Sequence, residues 1–233
     1  MLYADDTSLF LSGPNPHAVA RMVNEDLARI VDWLDINCLS INVSKSTFLH
    51  IRPTDRSDIL DNGTLTIQGL PMLKSTSARF LGITLDDSLS GDAHILQLRP
   101  KLAGAVVGIG RVRKMLEPSS CLPLYHAFFS SRISYGLEYY GLNYANRIYP
   151  IHILQKRALR CIFRLQFHDS VTPILKKYNI LPFPLHIEYT FCCFIFKIIH
   201  GLYPNVCGIV ESTNSPLGVV PPIFCWLPSQ TVT

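Results

Sequence analysis

The sequence predicts an α+β protein in which short antiparallel hairpins and one helix come first and an all-helical region follows. Two observations carry this prediction. Apolar residues flank short polar turns within residues 1–11 and 65–86, which is typical of hairpins. From about residue 94, apolar residues recur at three- and four-residue steps, which indicates helices. The chain has 233 residues, 48% of them hydrophobic, so it is long enough to bury a core.

The first part of the chain combines one long helix with strands. The helix is expected from about Pro16 to Cys38, because Asn15 suits its N-cap and an apolar stripe comes after it. The other elements expected here are a hairpin, a strand and a second hairpin, at residues 1–11, 46–51 and 65–76. The acid pair Asp86-Asp87 is interpreted as a solvated turn.

The second part is predicted to be helical up to about residue 203. The helices are expected from His94, with Pro100 kinking or splitting the first, and then at residues 122–140, 149–166, 173–178 and 185–203. The last of these is apolar, but Lys197 and His200 interrupt it, so a buried helix is favoured over a membrane span. A membrane-associated helical protein is kept as an alternative. The proline-rich sequence after Gly208 has no periodicity and is expected to be irregular or disordered.

Charge is divided unevenly along the chain. Residues 1–93 hold 7 Lys/Arg and 12 Asp/Glu, a net charge of −5, whereas residues 94–177 hold 13 and 3, a net charge of +10. An acidic block beside a strongly basic block is typical of a metal site next to a phosphate-binding surface. An ordinary solvated basic face is the alternative.

The acid pair Asp5-Asp6 lies between two apolar runs, at the expected tip of the first hairpin. Unpaired carboxylates are costly to desolvate, and a divalent cation is the usual remedy. Carboxylate oxygens suit Mg²⁺, and two such ions about 4 Å apart form a phosphoryl-transfer site. A plain solvated Asp-Asp turn is the alternative.

Three segments in this order resemble reverse transcriptases of non-LTR retrotransposons of the jockey type. Tyr3-Ala4-Asp5-Asp6 matches the centre of the family's palm hairpin, and the segment from Trp33 to Thr47 resembles the family's sequence downstream of that hairpin. The segment Phe80-Leu81-Gly82-Ile83-Thr84-Leu85-Asp86 resembles the primer-grip hairpin. The resemblance covers about residues 1–200 and implies an RNA-directed DNA polymerase, a nucleotidyltransferase.

The resemblance also implies roles for individual residues. Asp5 is expected to be the principal ligand of Mg²⁺ or Mn²⁺, with Asp6 supporting it, and Lys45 matches a lysine that protonates the leaving pyrophosphate. The primer end is expected to contact Tyr3 and the grip residues Phe80, Leu81 and Gly82. The partners implied are an RNA template, a DNA primer and deoxynucleotides, with no membrane and no small-molecule cofactor.

The resemblance divides the chain into a partial palm (1–92), a helical thumb and connection (93–205) and an irregular tail (206–233). In the family, the fingers and the first catalytic aspartate lie upstream of the acid-pair hairpin. We therefore expect the isolated chain to be an inactive fragment of the polymerase. The alternative is a non-enzymatic nucleic-acid-binding remnant that uses only the basic helices.

The expected helix at 149–166 supplies the main nucleic-acid contact of this interpretation. At 100° per residue, its four cations share one side and its apolar residues share the other. These cations are Lys156, Arg157, Arg160 and Arg164. The alternative nucleic-acid-binding surface consists of Arg111, Arg113 and Lys114.

The seven cysteines form no Cys-x-x-Cys pair and mostly have apolar neighbours. They are interpreted as reduced, buried thiols of an intracellular protein, nuclear or cytoplasmic and not secreted.

Overall fold

The computed structural model describes residues 2–3, 6–52, 60–202 and 223–231, with side chains described for residues 7–52 and 60–202. The chain forms two compact units, Met1–Ser90 with Pro216–Thr233, and Gly91–Ser215. The first unit mixes strands with one long helix, and the second is helical. The predicted α+β class is therefore confirmed.

The first unit is built from strands around one helix. Its elements are β1 (Leu2–Tyr3), β2 (Asp6–Leu11), α1 (Pro16–Ile36), β3 (Leu39–Ile41), a 3₁₀ turn (Val43–Lys45), β4 (Thr47–His50), β5 (Thr66–Ile67), β6 (Leu70–Pro71), β7 (Leu73–Ser75), β8 (Ser77–Phe80), β9 (Ile83–Asp86) and β10 (Ile223–Thr231). β10 pairs antiparallel with β2, β3 and β4, and β4 pairs in parallel with β7. β5–β6 and β8–β9 are separate hairpins.

The tail differs in part from the sequence expectation. Residues 203–222 lie outside the described residues, so the irregularity expected there stays a prediction. Residues 223–231 form β10 instead of continuing irregularly. The pairing partners of this strand are β2, β3 and β4, far away in sequence, and the local pattern carries no sign of them.

Helix α1 agrees closely with its sequence signals. The Asn15 side chain accepts hydrogen bonds from the backbone N–H groups of His17 and Ala18 at 3.0 and 3.3 Å, which caps the helix as predicted. The helix ends at Ile36, and Cys38 takes a left-handed backbone conformation with φ +55°. The buried stripe of α1 and residues of the strands and loops share one core, formed by Val19, Ala20, Val23, Leu27, Phe48, Leu60, Leu65, Ile67 and Met72.

Asp86 is buried, so the prediction of a solvated turn is wrong for this residue. Its carboxylate accepts hydrogen bonds from the Ser90 backbone N–H at 2.6 Å and from the hydroxyls of Ser88 and Ser90 at 3.0 and 3.1 Å. These three donors replace water around the Asp86 carboxylate. Because they belong to the residues that come after Asp86, they also stabilise the turn after β9.

The second unit is a cluster of helices around one core. Its elements are α2 (Asp92–Val112), α3 (Pro118–Tyr125), a π-helical turn (His126–Ser130), α4 (Ser131–Ser134), α5 (Leu137–Tyr140), α6 (Ala145–Phe163), α7 (Thr172–Lys177) and α8 (Phe183–Ile199). α2 continues through Pro100. α6 begins at Ala145 and not at the expected residue 149, so Pro150 lies inside the helix and not in its first turn. The largest fully buried side chains of this core belong to Tyr125, Phe129, Tyr140 and Phe183.

Helix α8 is less buried than its sequence predicted. Phe183 is its only fully buried residue among those described, and Tyr189, Phe196 and Ile199 are 60%, 56% and 71% exposed. The expectation of a buried helix is therefore wrong for most of α8. A helix that is apolar on all sides has no periodic stripe, so its sequence does not show which side packs inward. Within the described part of the chain, no helix is both long enough and apolar enough to cross a bilayer.

The cysteines whose side chains the structure describes are free thiols. Cys121 is buried as predicted, but Cys38 and Cys192 are exposed, so the expectation of burial is wrong for these two. Cys38 lies in the turn after α1, and Cys192 lies on the open side of α8.

Candidate nucleic-acid interface

The acid pair is only partly within the described residues. Asp5 lies outside them, and Asp6 begins β2 with its backbone paired to Tyr3 of β1. Oxygen donors of this kind are the ligands that Mg²⁺ prefers, so the chemistry of the donor set fits that ion. Among the residues that the structure describes, no cluster of three or more His, Cys, Asp or Glu side chains could hold a metal ion. The metal ligands stay a prediction.

Lys45 ends the 3₁₀ turn that comes after β3, and it is exposed. The side-chain oxygen of Asn42 holds this turn, because it accepts hydrogen bonds from the Lys45 backbone N–H at 3.2 Å and the Ser44 hydroxyl at 2.7 Å. The turn therefore fixes the backbone of Lys45 and leaves its ammonium in solvent. Its role in protonating pyrophosphate stays a prediction.

The expected grip segment forms a tight hairpin. Phe80 at the end of β8 pairs with Ile83 at the start of β9, so Leu81 and Gly82 form a two-residue turn. Both turn residues have positive φ, +46° and +84°, as a type I′ hairpin turn requires. The Phe80 ring meets the ring of Phe10 edge to face, with centroids 5.5 Å apart. The hairpin therefore presents the backbone of Leu81 and Gly82, both exposed, at its tip.

The structure brings three of the predicted cations together at one place in the helical unit. Arg113 and Lys114 come directly after α2, Arg164 comes directly after α6, and all three line one open cavity of about 470 Å³. We call this the basic cavity; its remaining lining residues are Leu165 and Gln166. None of the described residues that line it is acidic. Three cations without an acid create a positive potential suited to phosphate.

Backbone carbonyls hold two of these arginines in place. Arg113 Nη1 donates to the Cys161 carbonyl at 2.5 Å, and Arg164 Nη2 donates to the Arg113 carbonyl at 3.3 Å. Arg164 has φ +55° and ends α6, so the prediction that it continues the helical stripe is wrong. Its change of backbone direction places it with Arg113 and Lys114 instead. Arg111 is exposed in the last turn of α2.

The other three cations of the predicted stripe, Lys156, Arg157 and Arg160, lie within α6 in different surroundings. Lys156 is half-buried and Arg157 is exposed. Arg160 is also half-buried, because its Nε donates to the Asp169 carbonyl at 3.3 Å and its guanidinium lies 5.9 Å from the centroid of the Phe167 ring. The uniform outer stripe predicted for these residues is therefore divided, and Arg160 is partly engaged by the loop after the helix.

Sequence reasoning missed a groove between α2 and α6. Arg99 from α2 and Tyr149 and Arg157 from α6 line an open cavity of about 550 Å³. We call this the α2–α6 groove; its other lining residues are Leu96, Pro100, Ala103, Pro150, Ile153 and Leu154. One signal was available in the sequence, because Arg99 and Tyr149 each precede a proline within a helical pattern.

Burial and the nearby Lys156 ammonium lower the pKa of His152, whose ring centroid lies 6.2 Å from that of Tyr149. The lowered pKa favours the neutral ring, and the charges that line the groove belong to Arg99 and Arg157.

This chain is similar to the RNA-directed DNA polymerases of mobile elements. The probable RNA-directed DNA polymerase from transposon BS of Drosophila melanogaster is 25% identical over 186 residues, which cover 76% of this chain and 20% of the relative. The resemblance to jockey-type non-LTR reverse transcriptases that the sequence predicts is therefore confirmed.

Two further Drosophila melanogaster relatives agree with the first. The probable RNA-directed DNA polymerase from transposon X-element is 24% identical over 163 residues, 69% of this chain and 18% of the relative. The RNA-directed DNA polymerase from mobile element jockey is 25% identical over 166 residues, 69% of this chain and 17% of the relative. The chain thus spans about a fifth of the length of these curated relatives. No protein-family model and no solved structure matches it.

Proposed function

We propose that this chain is the part of a retrotransposon reverse transcriptase that combines the acid-pair hairpin, the primer grip and a helical nucleic-acid-binding region. The observation that carries this proposal is the similarity to three RNA-directed DNA polymerases over 69–76% of the chain. Residues 1–92 are assigned to the palm and residues 93–205 to the thumb and connection. The separation of the chain into two compact units, divided between Ser90 and Gly91, supports this assignment.

In the polymerase to which this chain is assigned, Asp5 and Asp6 would hold Mg²⁺ or Mn²⁺, and Lys45 would give a proton to the leaving pyrophosphate. The bound metal supplies charge stabilisation to the phosphoryl group that is transferred. Tyr3 packs under the primer end. The β8–β9 hairpin is placed against the primer backbone. Its exposed turn, Leu81-Gly82, supports this placement, because glycine lets another chain approach closely.

The helical unit binds the phosphate backbone of the primer–template duplex at the basic cavity. Three observations support this location: three cations converge there, none of the described residues that line the cavity is acidic, and backbone carbonyls fix Arg113 and Arg164. Guanidinium groups held in one orientation lose little entropy on binding phosphate, and their planar forks match its oxygens. Contacts of this kind position a duplex without reading its sequence.

Binding to two labelled RNA–DNA hybrids of unrelated sequence tests this location. Lys114→Gln removes an exposed charge from the basic cavity, and it should weaken binding to both hybrids by the same factor. Lys176→Gln is the matched control, because Lys176 is exposed in α7 and does not line the cavity. Equal affinities for the wild type and the Lys114→Gln variant would place the duplex elsewhere.

We also propose that the 233 residues alone do not extend a primer. They span about a fifth of the relatives' length, and two-metal transfer in this family draws carboxylates from two palm strands. Purified protein with a primed RNA template, Mg²⁺ or Mn²⁺ and deoxynucleotides should give no extension above background. Extension that disappears in Asp5→Ala would refute this and show a complete catalytic site.

A nucleic-acid-binding remnant without polymerase activity is the second candidate. The basic cavity favours it, because that cavity lies wholly within the helical unit and uses none of the palm residues. Supplying the fingers and first palm strand of a reverse transcriptase of this type in trans separates the two candidates. Restored primer extension that depends on Asp5 supports the polymerase fragment, and binding without restored extension supports the remnant.

A further inference from the structure

The α2–α6 groove differs chemically from the basic cavity. Its lining combines two arginines, one from each helix, with one tyrosine, two prolines and four aliphatic residues. Among the described residues, the lining of the basic cavity has three cations and one apolar residue, Leu165. The groove volume of about 550 Å³ lies within the usual range of ligand sites, roughly 300–1,000 Å³.

The groove exposes apolar surface that the core does not use. Leu96 and Tyr149 are 58% and 59% exposed, although both belong to helices that contribute buried residues to the core of the unit. Leu98 and Leu102 of α2 and Ile151 and Leu159 of α6 are buried in one core, and none of them lines the groove. The exposed side chains are therefore available to a ligand without any change in the packing of the core.

Charge and aromatic surface together restrict the kind of ligand. Two exposed arginines favour a ligand with phosphate groups, which they can bind in a bidentate manner. A duplex presents phosphates and sugars on its outside and keeps its bases stacked within, so it gains little from an apolar floor. A single strand offers unstacked bases, which pack on exposed aromatic rings whatever their sequence.

We infer that the α2–α6 groove binds single-stranded nucleic acid, with a base against Tyr149 and the neighbouring phosphates on Arg99 and Arg157. This inference rests on the proposal that the helical unit binds nucleic acid, and it adds a second site with a different substrate form. The basic cavity holds the duplex, and the groove holds an unpaired segment of the strand.

Fluorescence anisotropy with a labelled oligouridine and, separately, an RNA–DNA hybrid tests this assignment. Tyr149→Ala should weaken binding of the oligouridine by about 5- to 150-fold, which is the usual effect of removing one base–aromatic stack, and should leave hybrid binding unchanged. Tyr149→Phe keeps the ring and should retain the affinity. Tyr144→Ala is the matched control, because Tyr144 is 82% exposed at the start of α6 but does not line the groove.

The arginines provide a second, independent measurement. The double variant Arg99→Gln/Arg157→Gln should lower the salt slope of oligouridine binding by about 1.4, because each phosphate of a single strand that a cation neutralises contributes roughly 0.7. Oligouridine binding that is unchanged in Tyr149→Ala and in the double arginine variant, while the hybrid still binds, overturns the inference alone. Absence of all nucleic-acid binding by the wild type would overturn the proposed function as well.

Discussion

Gln155 is the clearest place to test how the helical unit is held together. Its side chain is 2% exposed, and it joins α6 to two other segments. Nε2 donates to the Tyr125 hydroxyl at 3.1 Å and to the Leu181 carbonyl at 2.9 Å, and Oε1 accepts from the Phe183 backbone N–H at 2.8 Å. The bond from the Phe183 N–H gives a partner to one of the backbone N–H groups that the first turn of α8 cannot bond within the helix.

The variant Gln155→Leu keeps a similar volume and removes all three hydrogen bonds. A buried polar group left without its partner costs roughly 1–3 kcal/mol. The Tyr125 hydroxyl and the Phe183 N–H belong to buried residues, whereas Leu181 is 43% exposed and its carbonyl can turn to water. Two such groups make the expected decrease in the free energy of unfolding about 2–6 kcal/mol. For a chain of this size, the lower bound of about 2 kcal/mol already lowers Tm by roughly 4–8 °C.

Thermal unfolding followed by far-ultraviolet circular dichroism measures this decrease. Gln166→Leu is the matched control, because Gln166 is exposed and a surface substitution usually changes stability by less than about 0.5 kcal/mol. A fall in Tm of Gln155→Leu no larger than that of the control would refute the buried network around this residue.

Helix glycines and buried histidines give two further predictions. Gly104→Ala should raise stability by about 0.5–1 kcal/mol, because Gly104 lies within α2 and a Cβ there meets nothing within 4 Å. Gly91→Ala should destabilise in the same urea titration, because Gly91 has φ +80° and its Cβ would lie 3.0 Å from the Tyr140 Cβ; equal midpoints for both variants would contradict this. Burial lowers the pKa of His50 and of His94 below 6.5, so in acid the unfolded chain binds more protons than the folded protein. The stability that these groups contribute is present above about pH 6.5 and is lost as the pH falls through their lowered pKa values. The urea midpoint should therefore drop between about pH 7.5 and pH 5.5, and a midpoint that does not change with pH would contradict this.

The elements that local signals define could be predicted from the sequence. Asn15 caps α1 where the pattern places the cap, and Leu81-Gly82 forms the turn of a hairpin in the segment that resembles the grip. α6 begins at Ala145, so Pro150 lies inside the helix, where a proline removes one backbone hydrogen bond. Ile148 and Ile151, on either side of this proline, pack in the core of the unit, and local propensity does not show such packing.

The candidate interface could be predicted only as a set of residue types. The sequence identifies a basic region, but it cannot show which arginines are engaged by the protein itself. Arg113 binds a carbonyl 48 residues away, and Arg164 binds one 51 residues away. The cations of the one predicted stripe therefore lie in different places. Arg164 lines the basic cavity, Arg157 lines the α2–α6 groove, and Arg160 binds the loop after α6.

The salt dependence of binding to an RNA–DNA hybrid tests whether the cations at the end of α2 bind the phosphates of a duplex. Arg111 and Lys114 are both exposed at the end of α2, so Arg111→Gln/Lys114→Gln removes two charges without removing the carbonyl contacts of Arg113 and Arg164. The slope of log K against log salt concentration should fall by up to about 1.8, at roughly 0.9 per phosphate contact. Lys176→Gln/Lys177→Gln removes the same charge from α7 and should leave the slope unchanged. Equal slopes for the wild type and both double variants would contradict a phosphate-binding surface at the basic end of the helical unit.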